Sequence, residues 1–268
     1  MDTQVRGIRR ILPRADGDTI HLEDPRMFRN QKPFPWTFPK KSLTAKGLLK
    51  VRLLGIDTPE LHYPGPNSCP VGAHRLRGPA RPRIYAQEPW GSLAKIWLDK
   101  RLQNGARVIV DLDREVFDRH GRLLGYVWTA RGQWQKDDLL NVLAVRLGYA
   151  FPYQLWPNLG RFRSIKEAAK AAIAVPRRGV FAAHSDRLLS LPKVAQGKAV
   201  NEPFLYRKVV DGAICQVPPK SLLVRFVGDA RSLRYYPPRQ YWRVPIPYRI
   251  FFDTRKDAQE FGFKRAKG

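Results

Sequence analysis

Acidic residues are few in this chain. Its 268 residues hold 23 Asp and Glu against 49 Lys and Arg, a formal net charge of +26. So large a cation excess favours polyanionic partners, with nucleic acid ahead of an anionic membrane surface. Cysteine is rarer still: Cys69 and Cys215 are too few for a disulfide framework or a four-cysteine zinc site. No apolar run approaches the roughly 20 residues needed to span a bilayer. The opening stretch MDTQVRGIRRILPRADGDTI has neither an apolar core nor a small-residue cleavage site, so it does not read as a signal peptide. As written, the chain is expected in the cytoplasm, with secretion open if its start is processed or re-started. No internal repeat is found.

What is present is enough apolar residue, 43%, to bury a core. The charge is spread along the chain: residues 1–184 carry 32 bases and 16 acids, residues 185–268 carry 17 and 7. Runs rich in Val, Ile, Leu and aromatics, bounded by Gly, Pro, Asp or Asn, predict strands over 4–12, 18–22, 47–56, 106–112 and 122–130. Helices are expected from about Ser92 to Gly105, over 136–148 behind Asp137 and Asp138, and over 163–174 with Ser164 as N-cap. This order describes an α+β chain, mainly β, with a small antiparallel five-stranded barrel and three helices outside it. The long loops 24–46 and 61–90 interrupt it, and long loops in compact domains are usually functional or disordered. Beyond residue 181 the pattern lapses. The expected organisation is a domain over 1–181, a linker over 182–202 and a small basic module over 203–268.

The stretch VRLLGIDTPE, 51–60, concentrates the chemistry. An apolar strand carries Arg52 and breaks at Thr58-Pro59 between two carboxylates, Asp57 and Glu60. Hydrolysis of a phosphodiester builds negative charge on phosphoryl oxygens, so it needs cations in place and a positioned water. A hard divalent ion asks for carboxylate and carbonyl oxygens. A further carboxylate can orient or deprotonate the water, and an arginine offers a two-pronged donor to phosphate. Asp57 as metal ligand, Glu60 as base and Arg52 as clamp form a coherent set. The alternative for these residues is a solvated turn with an ordinary surface ion pair.

DGDTIHL (16–22), VRLLGIDTPE (51–60) and DRHGRLLGYVW (118–128), in that order, resemble the motif blocks of the staphylococcal nuclease (thermonuclease) family. NVLAVRLGYA (141–150) resembles the stretch that follows that family's barrel. The resemblance covers about residues 4–181 and implies an OB-fold. It implies Asp18 and Asp57 as calcium-binding carboxylates with the Thr58 carbonyl as a third ligand, Glu60 as the catalytic glutamate, and Arg52 and Arg122 on the scissile phosphate. His120, Tyr153 and Trp156 fall near positions where the family places substrate-contacting residues. The implied activity is a calcium-dependent nuclease acting on DNA and RNA with little sequence preference.

Other features read more plainly. Asp16 is expected to shape its own turn. His62, Cys69 and His74 share a loop, but their spacing fits no closed tetrahedral zinc site, so no zinc is expected. The acids Asp111, Asp113, Glu115 and Asp118 read as a solvated turn. The aromatic-basic loop with Phe28, Phe34, Trp36 and Phe38 suits base stacking and packing on the barrel equally. Residues 228–268 resemble a small Ada-type metal-binding module through RIFF and DTRKDAQEFGF. Tyr236, Gln240 and Ala266 stand where that pattern wants Cys or His, so a metal-free remnant held by aromatic packing is expected. Two rivals to catalysis are a non-catalytic nucleic-acid-binding OB-fold and a component of a nucleoprotein assembly.

Overall fold

The structure is a computed structural model and describes residues 3–12, 15–66, 85–132, 134–189, 193 and 199–267. Its strands begin with β1 (Thr3–Arg10), β2 (Thr19–Arg29), β3 (Lys32–Phe34), β4 (Leu49–Leu53) and β5 (Ile56–Asp57). They continue with β6 (Arg107–Phe117), β7 (Leu123–Arg131), β8 (Gln135–Leu139) and β9 (Phe151–Pro152). Pairing runs β1–β6–β7–β4–β2 and returns from β2 to β1, so five strands close a ring. Every pair in that ring is antiparallel except β4–β7, which is parallel. Closure satisfies the edges that an open sheet would expose.

Strand alternation decides what faces the site. In β4, Leu49, Val51 and Leu53 are buried in the main core, while Lys50 and Arg52 point the other way. Helices α1 (Trp90–Arg101), α2 (Leu140–Arg146) and α3 (Phe162–Ala174) lie outside the ring, with α2 and α3 packed on each other. Buried Asn141 fastens α2 to the ring: it accepts from the Val127 N–H at 2.8 Å and donates to the Leu54 carbonyl at 2.8 Å.

Several boundaries differ from expectation. Loop 24–46 is shorter than it looked, because β2 runs on to Arg29 and turns into β3. Asp137 and Asp138 belong to β8 rather than to a helix N-terminus, and the Asp138 N–H is taken by the Thr129 hydroxyl at 3.1 Å. Helix α3 opens at Phe162, which leaves Ser164 inside its first turn and without a capping bond.

The chain continues through the short helix α4 (Gly179–Ala182) to α5 (Pro203–Cys215), then β10 (Phe226–Asp229), β11 (Arg234–Tyr236), β12 (Arg249–Phe252), α6 (Arg255–Glu260) and β13 (Lys264–Arg265). The last four strands form a sheet in the order β12-β10-β11-β13. RIFF is β12, and DTRKDAQEFGF supplies α6, whose Thr254 and Asp257 exchange capping bonds. Tyr235, Ile250, Phe252, Ala258 and Phe263 make its core.

In the described part of 182–202 several contacts are made. His184 and Val200 form a bridge, and the Asn201 amide donates to the carbonyls of Ser185 and Arg187 at 3.0 and 2.8 Å. Residues 203–268 also contact the first part of the chain. The Phe251 N–H donates to Gln154 at 2.7 Å, the Trp156 N–H donates to Phe251 at 3.0 Å, and the Phe251 ring lies 4.9 Å from that of Tyr153. Apolar residues of this segment pack with Tyr153, Leu155 and Trp156 of the first part of the chain.

Candidate active site

The site forms where β2 begins and β4 ends. Thr19 of β2 is in register with Arg52 of β4, which places Asp18 beside Arg52. The Arg52 guanidinium meets the Asp18 carboxylate and donates to Asp57 at 2.6 Å. Asp18 also accepts the Thr58 N–H at 3.2 Å. Gly55, with φ +74°, turns the chain between β4 and β5 so that Asp57 comes back towards Arg52. Asp18 and Asp57 are each only 1% exposed, and Glu60 8%. Asp16 does more than shape its own turn: it accepts the Leu61 N–H at 3.1 Å and ties the segment after Glu60 to the start of β2.

A residue from the far end of the chain completes the cluster. Arg207 of α5 pairs with Glu60 and donates to Asp57 at 2.8 Å. No short motif announces it, because its partners lie 150 and 147 residues away. A lone Arg in an apolar helix, PFLYRKVVDGAIC, was its only trace in the sequence.

These charges set the protonation of the acids. Burial raises the Asp57 carboxyl, but the Arg207 and Arg52 guanidiniums outweigh it and hold it below the ordinary carboxylate range. Burial pushes Glu60 up to about 7 against the pull of Arg207, with Asp57, Asp16 and Asp18 adding to the rise. Burial and the neighbouring Asp18 raise Asp16 as well.

The other expected site residues are placed differently. Arg122 precedes β7 and, by the β4–β7 register, shares the face of Arg52. Its guanidinium is held by Asp118 at 2.8 Å rather than by the central acids. His120 sits in the exposed turn beside it, its N–H donating to Asp118 at 2.9 Å. Tyr153 is packed between Phe204 and Phe251, and its hydroxyl takes a bond from Arg225. Trp156 lies in the aromatic core with Tyr235 and Phe252. Both rings are half-buried, with residues of the C-terminal segment packed against them. Among the loop aromatics, Phe34 and Phe38 pack on the main core, while Trp36 is exposed.

The acidic run is structural rather than solvated. Asp111 accepts from the Trp128 indole at 2.8 Å, and Asp113 accepts from the Tyr126 hydroxyl at 3.0 Å and the Gly160 N–H at 2.8 Å. Of the tempting zinc trio, His62 lies 3.5 Å from Asp16, and Cys69 and His74 fall outside the described residues.

Asp18, Asp57 and Thr58 fit a hard cation. Both carboxylates are buried and converge on one positive group, and the Thr58 hydroxyl is buried without a hydrogen-bond partner. All the donors are oxygen, the set that calcium and magnesium take. A second grouping, His184, Asp186 and Glu202, has its ligand atoms within 4.8 Å of one another. There the Arg249 guanidinium pairs with Glu202 and with Asp186 at 3.0 Å, as Arg52 pairs with Asp18 and Asp57.

The ring of five strands with helices outside it is an OB-fold, and the site joins buried carboxylates to arginines at one of its strand ends. Residues 50–177 match the family described as Staphylococcal nuclease homologue, and this part of the chain is similar to that family's domain. The chain is 27% identical over 253 residues to Endonuclease YhcR of Bacillus subtilis (strain 168), covering 94% of this chain and 16% of that protein. It is 31% identical over 121 residues to Thermonuclease of Staphylococcus intermedius, covering 45% of this chain and 56% of that one. The first match is too long to leave out residues 203–268. Asp18 lies upstream of the family match, and the strand register brings it to the site.

Proposed function

We propose that the protein is a calcium-dependent nuclease that hydrolyses phosphodiester bonds of DNA, and of RNA, with little sequence preference. One observation carries this: three buried carboxylates, Asp18, Asp57 and Glu60, are drawn together with two arginines inside a staphylococcal-nuclease-like domain. Mere binding of a polyanion gains nothing from buried anions, since they repel phosphate. A hydrolase needs them, to hold a cation and to take a proton.

Asp18, Asp57 and the Thr58 carbonyl would hold the calcium ion. That ion would supply positive charge to the phosphoryl oxygens and an ordered water shell. Glu60 is the base that takes the proton of the attacking water. Arg52 and Arg122 present planar donors to the phosphate, where charge grows in the transition state. The division into a nuclease domain over 1–181 and a basic segment over 203–268 is part of the same reading: the first does the chemistry, and the second completes the site and adds charge for long substrates.

The test is nicking of supercoiled plasmid with Ca²⁺ and with EDTA, by the native protein and by Glu60→Gln. Cleavage that requires the metal and disappears in Glu60→Gln is expected. Tight DNA binding with no turnover under any divalent ion would favour the binding-protein alternative.

A further inference from the structure

The C-terminal segment reaches into the site through a single side chain, and the way it is fastened indicates what that side chain does. Helix α5 is tied to the segment that carries Glu60. The Glu60 N–H donates to the Gln87 side chain at 3.0 Å, and the Gln87 N–H donates back to the Glu60 carbonyl at 2.7 Å. The same Gln87 amide donates to the Asn201 carbonyl at 2.9 Å, two residues ahead of the helix. Within α5, the Tyr206 hydroxyl donates to the Ala86 carbonyl at 3.0 Å, and Asp211 accepts from Tyr63 at 2.5 Å. Leu205, Tyr206, Val209 and Val210 are all buried. A displaceable plug would rest on a polar, weakly packed contact. This helix is built into the wall of the site, and Asn201 ahead of it is tied through Gln87 to the backbone of Glu60.

We propose that Arg207 is a third active-site arginine, supplied by the C-terminal segment, that positions Glu60 for its role as base. The inference rests on the nuclease reading above. Arg207 acts through Glu60 and Asp57: one nitrogen pairs with Glu60, the other donates to Asp57 at 2.8 Å, and the planar fork fixes the two carboxylates relative to each other. Charge favours the same role. Asp18, Asp57 and Glu60 bring three negative charges, and Arg52 with a divalent ion brings three positive. Arg207 leaves one positive charge over, the match for one phosphodiester.

Fork and charge are separable by substitution. In Arg207→Ala, Glu60 loses its orienting partner, so kcat should fall roughly 10²-fold with KM within a few-fold, the size of effect a misplaced catalytic group produces. The same variant should bind Ca²⁺ several-fold more tightly by calorimetry without substrate, because a cation beside Asp57 no longer opposes the ion. Arg207→Lys restores the charge but not the fork, so its Ca²⁺ affinity should return towards native while kcat stays low. Thermal melting checks that each variant folds, and Arg207→Lys alone suffices should Arg207→Ala not fold. Native kcat in a folded variant overturns the proposal. So does a Ca²⁺ affinity that weakens in step with kcat and Tm, since that marks a structural prop. If the native protein cleaves and Glu60→Gln does not, failure at Arg207 refutes this inference alone. If the native protein does not cleave, the nuclease reading falls and this proposal with it.

Discussion

Glu60 holds opposite tendencies in one carboxyl. Burial favours its protonated form, while Arg207 favours its anion, and the balance near 7 suits a group that must take a proton at neutral pH. Glu60→Gln keeps the shape but cannot accept that proton, so kcat should drop by ~10²–10⁴-fold with DNA binding retained. The active form is the ionised one. The rate at fixed Ca²⁺ should therefore rise with pH as Glu60 ionises and level off above that; a rate already flat from pH 5 to 9 would remove Glu60 as the base. Asp18→Ala and Asp57→Ala each delete a hard ligand, and each should raise the Ca²⁺ concentration needed for half-maximal cleavage. A calcium dependence unchanged in both would place the ion elsewhere.

In β2 a polar ring is buried on the face away from the main core, in register with Lys50. His21 is 7% exposed, its Nδ1 has no partner, and burial, with Arg9, Lys50 and Lys95 nearby, lowers its pKa to about 4. The unfolded chain protonates this ring near 6.5, so the folded state loses stability as pH falls from about 6.5 to about 4 and no further below. His21→Phe should flatten that part of the melting profile, an effect of about 3 kcal/mol for a fall from 6.5 to about 4. The core of this strand was legible because TIHL is apolar, but its extension was not. EDPRMFR carries charges and a proline, and Asp24-Pro25 lies at a break in register with β1, between the Arg6–Arg26 and Ile8–Glu23 pairs. Proline is tolerated there because no ladder N–H is required. β8 stayed hidden for a similar reason: QKDDL has no apolar period, and only its pairing to β7 makes it a strand. The central acids and Arg52 could be read from the sequence because one turn brings Arg52, Asp57 and Glu60 together. Arg207 could not, since its place depends on how the whole chain packs.

At the scale of the whole molecule, the excess of cations should make binding of long DNA strongly salt-dependent. Each phosphate neutralised adds about 0.9 to the slope of log K against log salt. Replacing Arg239, Arg243 and Arg255 with Gln, all exposed and outside the strands of the C-terminal sheet, should make that slope shallower while leaving cleavage of short oligonucleotides unchanged; an unchanged slope would mean that this surface does not meet DNA. Truncation after residue 184 is a harsher change. It uncovers Tyr153, Leu155 and Trp156 and removes Arg207, so it should lower Tm and abolish turnover together. A truncated chain with native Tm and activity would restore the C-terminal segment to the status of an appendage.

The contact between Arg207 and Asp57 also bears on time. The barrel pairs strands that lie mostly within about a hundred residues of one another, whereas the site closes only when the chain has looped across 150. Closing so long a loop is entropically costly and tends to come late. In refolding from denaturant, secondary structure should therefore return before nuclease activity, and the lag between the two signals would measure the docking of α5. During synthesis the same order applies: a nascent chain whose barrel has emerged while residue 207 is still in the ribosome lacks one arm of the proposed site, so on the nuclease reading it should become competent to cut nucleic acid only after residue 207 has emerged.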